Sequence, residues 1–373
     1  MHTKIFVNKK FNETIKLIND SKPIYFIINH IKKYTNLNDF IIQIKNNELN
    51  FKQFLLLCDI EYELFILLIN SIKITSKGNY RQIYCNEYKL LLIFELRNNI
   101  VKWKDLSKSI YYEPINCPKY HYKSIHSQYC RWCHNNIFKN AFLTITPYDN
   151  DDNIDINIDG DDDDDDYYII DSNNDLFIDA SNINNKLGSE EIMINPELHK
   201  KNITKLTSIS NIDGFIYSIV PISVNKKTIL FNKKKRIIKT APNDSVTIQF
   251  TVNNINDKIN IKSNNINLIG DKSYKTNTNN IIKTPTNKIV TMITPNKINQ
   301  KNNLIKKSTH KKLGYRNIIE NTICSFKKNE RINLRKDRKI KTFMGWVYIS
   351  CLNHNLRVNK RLKKINIPSS RSN

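Results

Sequence analysis

The run Tyr315-Arg-Asn-Ile-Ile-Glu-Asn-Thr-Ile-Cys-Ser-Phe-Lys327 sets one carboxylate, Glu320, between two cations, Arg316 and Lys327. Steps of four and seven residues put these three on one face of a helix, and Ile319, Ile323 and Phe326 form an apolar stripe on another. A carboxylate fixed on a helix beside cations can hold a metal ion next to a phosphate. Taken alone, the same face also fits a solvated helix surface with weak ion pairs. Two aspartates upstream add weight to the first reading. Asp175-Leu-Phe-Ile-Asp179 and Ile266-Asn-Leu-Ile-Gly-Asp271 are short apolar runs ending in a carboxylate, the pattern of buried strands with Asp at their tips. One such Asp alone is an ordinary turn or cap residue, but three acids in the order strand, strand, helix form a set.

Acids of this kind suit phosphoryl chemistry. Two divalent ions about 4 Å apart activate a water or a 3′-hydroxyl and stabilise the leaving oxygen in an in-line displacement at phosphorus. Mg²⁺ prefers hard oxygen ligands and keeps several waters, so two or three protein carboxylates suffice.

At this point the chain resembles the DDE transposases of bacterial insertion sequences, over about its last half and a shorter block before it. Phe177-Ile-Asp-Ala-Ser181, with Asn185-Lys-Leu-Gly-Ser-Glu190, Asn195-Pro196, Lys200-Lys201 and Thr204-Lys205, is similar to the family's first-aspartate block. Gly270-Asp-Lys-Ser-Tyr274 is similar to the second, usually Asp-Lys-Gly-Tyr, and Ile293-Thr-Pro-Asn-Lys297 to the strand and basic loop after it. Arg316 to Lys327 resembles the Tyr-Arg-Glu-Lys signature around the third acid. The sequence departs from the family in three places. Tyr315 adjoins Arg316 instead of preceding it by three positions, Ser273 replaces the usual glycine, and Asn243-Asp244-Ser245 stands where His-Asp-Ser is common. The resemblance implies an α/β fold, an RNase H-like mixed sheet flanked by helices, preceded by a mostly helical DNA-binding region. It implies that Asp179, Asp271 and Glu320 are catalytic and hold Mg²⁺ or Mn²⁺, and that Arg316 and Lys327 grip phosphates near the cut. It also implies double-stranded DNA as partner, transposon ends and target, and a homodimer on paired ends.

Charge bears on the partner. The formal net charge is +24 over 373 residues, and neutralising phosphates with lysine and arginine releases counterions and drives nucleic-acid binding. Lysine, asparagine, isoleucine and tyrosine are all abundant, as A/T-rich coding DNA produces, so distribution says more than the total. Basic residues cluster from Asn296 onward, notably Lys327-Lys328, Arg331, Arg335-Lys336, Arg338-Lys339 and Arg357 to Lys364. With Lys272, Arg131 and Lys233 to Arg236, Arg331 and Arg335 are expected to contact phosphates without reading sequence. Against them stands one acidic block, Asp149 to Asp166, which ends in six aspartates. Such a run repels itself and buries nothing, so it is expected to be a disordered linker, with a DNA-mimicking segment as the alternative.

That block suggests a division of the chain. Residues 1–95 form a mostly helical N-terminal region, 96–148 a helix-turn-helix-like region, 149–172 the linker, 173–352 the catalytic domain and 353–373 a basic tail. Phe51 to Ile72 has the pattern of an amphipathic or buried helix and is too polar for a membrane span. Trp103-Lys-Asp-Leu106, Tyr129-Cys-Arg-Trp132 and Asn136-Ile-Phe138 resemble the helical DNA-binding region of one branch of these transposases. There Ile125, Tyr129, Trp132 and Phe138 form a packed side, which leaves His126, Arg131 and His134 for solvent or DNA. A helix-turn-helix and a purely structural bundle both fit.

Cys130-Arg-Trp-Cys133-His134 matches a haem-attachment pattern, but no secretory signal accompanies it. Cys117, His121, Cys130 and Cys133 have spacings compatible with zinc. Cys58, Cys85, Cys324 and Cys351 sit in apolar or helical surroundings and are expected to be buried thiols. Seven cysteines with no paired framework indicate a reducing, intracellular compartment. No glycine-rich phosphate loop and no Gly-x-Ser-x-Gly elbow is present. Phe343 to Leu352 is too short to cross a bilayer and is expected to pack as a helix with Trp346 buried.

Overall fold

The computed structural model describes residues 55, 60–75, 86–98, 102–108, 121–148, 175–188, 190, 192–194, 202–222, 229–231, 237–239, 244–255, 265–274, 281–284, 288–295, 315–327 and 330–365. Two compact units divide between Ala141 and Phe142. The boundary therefore falls before the acidic block, which lies outside the described residues.

In the first unit, α1 (Tyr62–Thr75) and α2 (Asn86–Asn98) pack together, followed by a 3-10 segment (Trp103–Lys108), α3 (Tyr122–His134) and α4 (Ile137–Thr144), in which the unit boundary falls. The expected packed side of α3 is borne out: Ile125, Tyr129 and Trp132 are buried, as is Phe138 on α4. His126 departs from expectation. Its ring packs edge-on against Trp103 with centroids 4.7 Å apart, and burial lowers its pKa.

The second unit is built on a curled eight-stranded mixed sheet. Its strands are β1 (Asp175–Asn185), β2 (Met193–Ile194), β3 (Asn202–Ser210) and β4 (Ile216–Pro221), then β7 (Asn265–Ile269), β8 (Ile281–Lys283), β9 (Ile289–Ile293) and β10 (Leu334–Arg335). A separate ribbon pairs β5 (Ile229–Phe231) with β6 (Ile237–Lys239). Across the sheet the order is β2-β3-β1-β7-β9-β8, with β4 also on β3 and β10 also on β1. β1, β3 and β4 form an antiparallel meander, and β7 and β9 then run parallel to β1. Near-continuous burial of β3 and β4, polar residues of β3 included, fits strands covered on both faces.

Helices α5 (Asp244–Val252), α6 (Asn317–Lys327), α7 (Glu330–Asn333) and α8 (Ile340–Ile365) complete the unit. Side chains alternate between faces along a strand, and that alternation separates the helices into two layers. α5 lies on the face that carries Lys205 and Ser218, through contacts from Lys205 to Asp244 and from Ser218 Oγ to the Thr251 carbonyl. α6 lies on the face that carries Asp179 and Ser181, where Lys327 reaches Ser181 Oγ at 2.6 Å.

α8 packs on α6 and β4. Asn355 stands in for a missing strand at the edge of β4: its Oδ1 accepts the Ile216 N–H and its Nδ2 donates to the Ile216 carbonyl, each at 2.9 Å. An edge strand closed in this way offers fewer open backbone groups to another chain. Trp346 is buried, as expected. Residues 353–365, by contrast, are not a tail but the second half of this 26-residue helix, where Val358 and Leu362 bury an apolar stripe.

Two glycines allow close approach. At Gly270 a Cβ would lie 2.6 Å from Met292 Cε, 2.9 Å from the Tyr274 ring and 3.0 Å from Ile178 Cγ2. Gly270→Ala is therefore expected to cost about 1–3 kcal/mol by overpacking the end of β7, measurable as a lower urea midpoint. Gly188 lies against Asn185 and the Arg335 guanidinium, 2.7 Å from where its Cβ would stand.

Candidate active site

Asp179 is not at a strand tip, as its apolar run suggested, but in the middle of the 11-residue β1. The strand continues because its polar residues find partners: Ser181 holds Lys327, and Asn185 bonds Thr204 Oγ1 and the Gly188 N–H. Asp271 does follow a strand end, after β7 and Gly270. The parallel ladder ends at Phe177 opposite Ile269, and two residues further along each chain stand Asp179 and Asp271. Register thus brings the two acids to one level on neighbouring strands.

Glu320 sits in the first turn of α6, whose Ile319, Ile323 and Phe326 are buried as expected. That stripe docks the helix against β1 and β3 and fixes Glu320 beside the strands. Arg316 immediately precedes the helix and pairs with Glu320. Both are substantially exposed, so the pair contributes under about 1 kcal/mol, and its main effect is to place a cation beside the acid.

The carboxylates sense one another. Asp179 is pushed up to about 6, first by burial, with partial offset from the Ala180 N–H, and further by the charges of Glu320, Asp244 and Asp271. Lys327, next to Asp179, has its pKa lowered by burial and partly restored by Cys324 and Asp179. Tyr274 is fully buried, and its hydroxyl has no hydrogen-bond partner among the described residues. Burial, then the charges of Asp244, Asp179 and Asp271, raise its pKa well above the usual phenol value, so it stays protonated.

Asp244, Lys205 and Ser273 belong to this site and were not anticipated in these roles. Asp244 begins α5 in the opposite layer, where it pairs with Lys205 and accepts the Ser273 hydroxyl at 2.6 Å. Ser273 also touches Asp271 Oδ1 through its hydroxyl, and through its N–H at 2.7 Å. In the sequence, the Asn243-Asp244-Ser245 departure was the available signal.

The expected phosphate contacts divide. Lys272 is exposed directly after Asp271, and Arg131 is exposed on α3 of the first unit. The side chain of Arg331 lies outside the described residues, as do Lys233 to Arg236. Arg335 contradicts the expectation: it is fully buried. Its guanidinium donates to the carbonyls of Glu190, Asp337 and Arg338 and to Thr204 Oγ1, and it packs 5.6 Å from the centre of the Phe343 ring. Asn185, Gly188, Glu190 and Thr204 therefore build the socket of an arginine.

Cysteine expectations also need correcting. Cys351 is buried but Cys324 is exposed, and Cys58 and Cys85 lie outside the described residues. Of the zinc candidates, Cys117 lies outside them too. His121 caps α3 by accepting the Lys123 N–H, and Cys130 Sγ lies 3.7 Å from His126 Nε2.

Among the described residues no three His, Cys, Asp or Glu side chains are gathered closely enough to hold one ion as they stand. Glu320, Asp244 and Asp271 are instead occupied by Arg316, Lys205 and Ser273 respectively. In donor chemistry the set still fits a hard divalent cation, because it offers several carboxylates and no soft ligand. No described helix is long and apolar enough to cross a membrane. No protein-family model, curated protein or solved structure matches the chain.

Proposed function

We propose that this chain is a DDE-type DNA transposase with an RNase H-like core, in which Asp179, Asp271 and Glu320 hold Mg²⁺ or Mn²⁺. One observation carries the reading: acids distant in sequence come from two neighbouring strands and a helix, and Asp271 and Glu320 both act on the charge of Asp179. The sheet is in keeping with it, since the resemblance implies a mixed sheet flanked by helices. The functional inference rests on the site and not on the fold, which by itself implies no activity.

The bound ions would supply an activated water or 3′-hydroxyl and stabilisation of the leaving oxygen at phosphorus. The chain's own residues position the DNA around them. Arg316 and Lys272 offer exposed or half-exposed cations beside Glu320 and Asp271. Lys327, held by Ser181 next to Asp179, offers a partly desolvated one whose attraction for a phosphate is less screened by water. The proposed reaction is hydrolysis at a transposon end to free a 3′-hydroxyl, followed by its attack on target DNA, carried out by a dimer on paired ends.

A second reading is a transposase-derived DNA-binding protein that no longer cuts. The pairing of Glu320 with Arg316 and of Asp244 with Lys205 favours it. Labelled DNA ends incubated with Mg²⁺ separate the readings. Cleavage with joined product, lost in Glu320→Gln, supports the transposase. Cleavage without joining indicates a nuclease, and salt-dependent binding without cleavage indicates the second reading.

A further inference from the structure

Resting on that reading, we propose that Ser273 is a positioning residue that ties Asp271 to the start of α5 and so presents the Asp271 carboxylate for a divalent cation. Four contacts carry the inference. Asp244 is gripped on Oδ1 by Lys205 from β3. Its Oδ2 accepts the Ser273 hydroxyl at 2.6 Å. Ser273 then meets Asp271 on a single oxygen, Oδ1: its backbone N–H donates at 2.7 Å, and its one hydroxyl proton, which faces both Asp244 Oδ2 and Asp271 Oδ1, is shared between the two carboxylates. Two contacts on one oxygen fix the rotation of the carboxylate and leave Oδ2 as the oxygen not engaged by the loop. The chain Lys205, Asp244, Ser273, Asp271 spans from the α5 face of the sheet to the end of β7.

The residue type matters. Glycine in this position would keep the backbone N–H but offer no hydroxyl, so the link to Asp244 depends on the serine side chain. Asp244 itself acts here as an anchor, since its charge is matched by Lys205. Side chains that orient a ligand without touching the metal commonly change metal affinity 10- to 100-fold when removed. Ser273 is exposed, so its replacement leaves the core intact.

The test is Mn²⁺ binding by titration calorimetry to the full chain without DNA, with thermal melting as a check on folding. Ser273→Ala is expected to weaken Mn²⁺ about 10-fold or more, Ser273→Thr to stay within about twofold because it keeps the hydroxyl, and all three proteins to melt alike. Asp244→Asn combined with Ser273→Ala is expected to cost less than the sum of the single changes, as for members of one network. Unchanged Mn²⁺ affinity in Ser273→Ala overturns the positioning role and leaves the metal-site reading standing. Absence of Mn²⁺ binding by the unaltered chain overturns both.

Discussion

Asp179→Asn is expected to abolish strand cleavage and at the same time stabilise the metal-free protein at neutral pH. On the proposed function, loss of a metal-holding carboxylate should lower the cleavage rate by on the order of 10³-fold or more. The stability effect has the opposite sign. Asp179 is pushed up to about 6 by burial and by Glu320, Asp244 and Asp271, so the folded chain holds its proton more tightly than the unfolded chain does. Its contribution is fully favourable below the ordinary carboxylate pKa and is lost as pH rises through about 6. At pH 7 the unaltered protein carries this penalty and the Asn variant does not, a difference of about 1–3 kcal/mol. Chemical denaturation at pH 7 and at pH 4 measures it: the variant should be more stable at pH 7, and the gap should close at the lower pH. Millimolar Mg²⁺ should raise the melting temperature of the unaltered chain more than that of the variant, because only the former regains its carboxylate charges through a bound ion. A variant less stable at pH 7 would mean that the Asp179 carboxylate is structurally satisfied and not held in tension with its neighbours.

How much of this was legible in sequence depends on whether the determining contact is local. The stripe Ile319, Ile323 and Phe326 and the placement of Glu320 follow from helical period, and the α6 packing agrees with them. Asp271 is marked by the apolar run and Gly270 before it, and the close approach at Gly270 explains the glycine. The short apolar run Leu176-Phe-Ile178 suggests a strand that ends at Asp179. The strand continues beyond it because β3 pairs with it from Phe177 to Asn184, Lys327 takes up Ser181 and Thr204 takes up Asn185. No periodicity encodes such partners. Lys205, Asp244 and Ser273 are likewise joined only by the stacking of α5 across the sheet, which no spacing in the chain reveals.

The basic C-terminal half misled in a similar way, because a run of cations looks alike whether it faces DNA or the core. Arg335 is where the two meanings are separated experimentally. Its guanidinium saturates three backbone carbonyls and Thr204 in a buried socket, and Gly188 leaves room for it. Arg335→Leu is expected to cost about 3–5 kcal/mol, since buried Thr204 Oγ1 and the part-buried carbonyls of Glu190, Asp337 and Arg338 lose their donors. Arg335→Lys should recover little, because an ammonium cannot reproduce the planar fork that reaches separate acceptors. Lys272→Ala provides the contrast: the residue is exposed, so stability should change by less than about 0.5 kcal/mol. Its DNA affinity should fall, with a shallower dependence on salt by about one phosphate contact. Urea denaturation and salt-titrated DNA binding of the two variants therefore test opposite assignments. Arg335→Lys, assayed where it remains folded, should keep the salt slope of the unaltered chain. A reduced slope together with near-normal stability would return Arg335 to the DNA surface and would mean that β10 opens away from β1 when DNA binds.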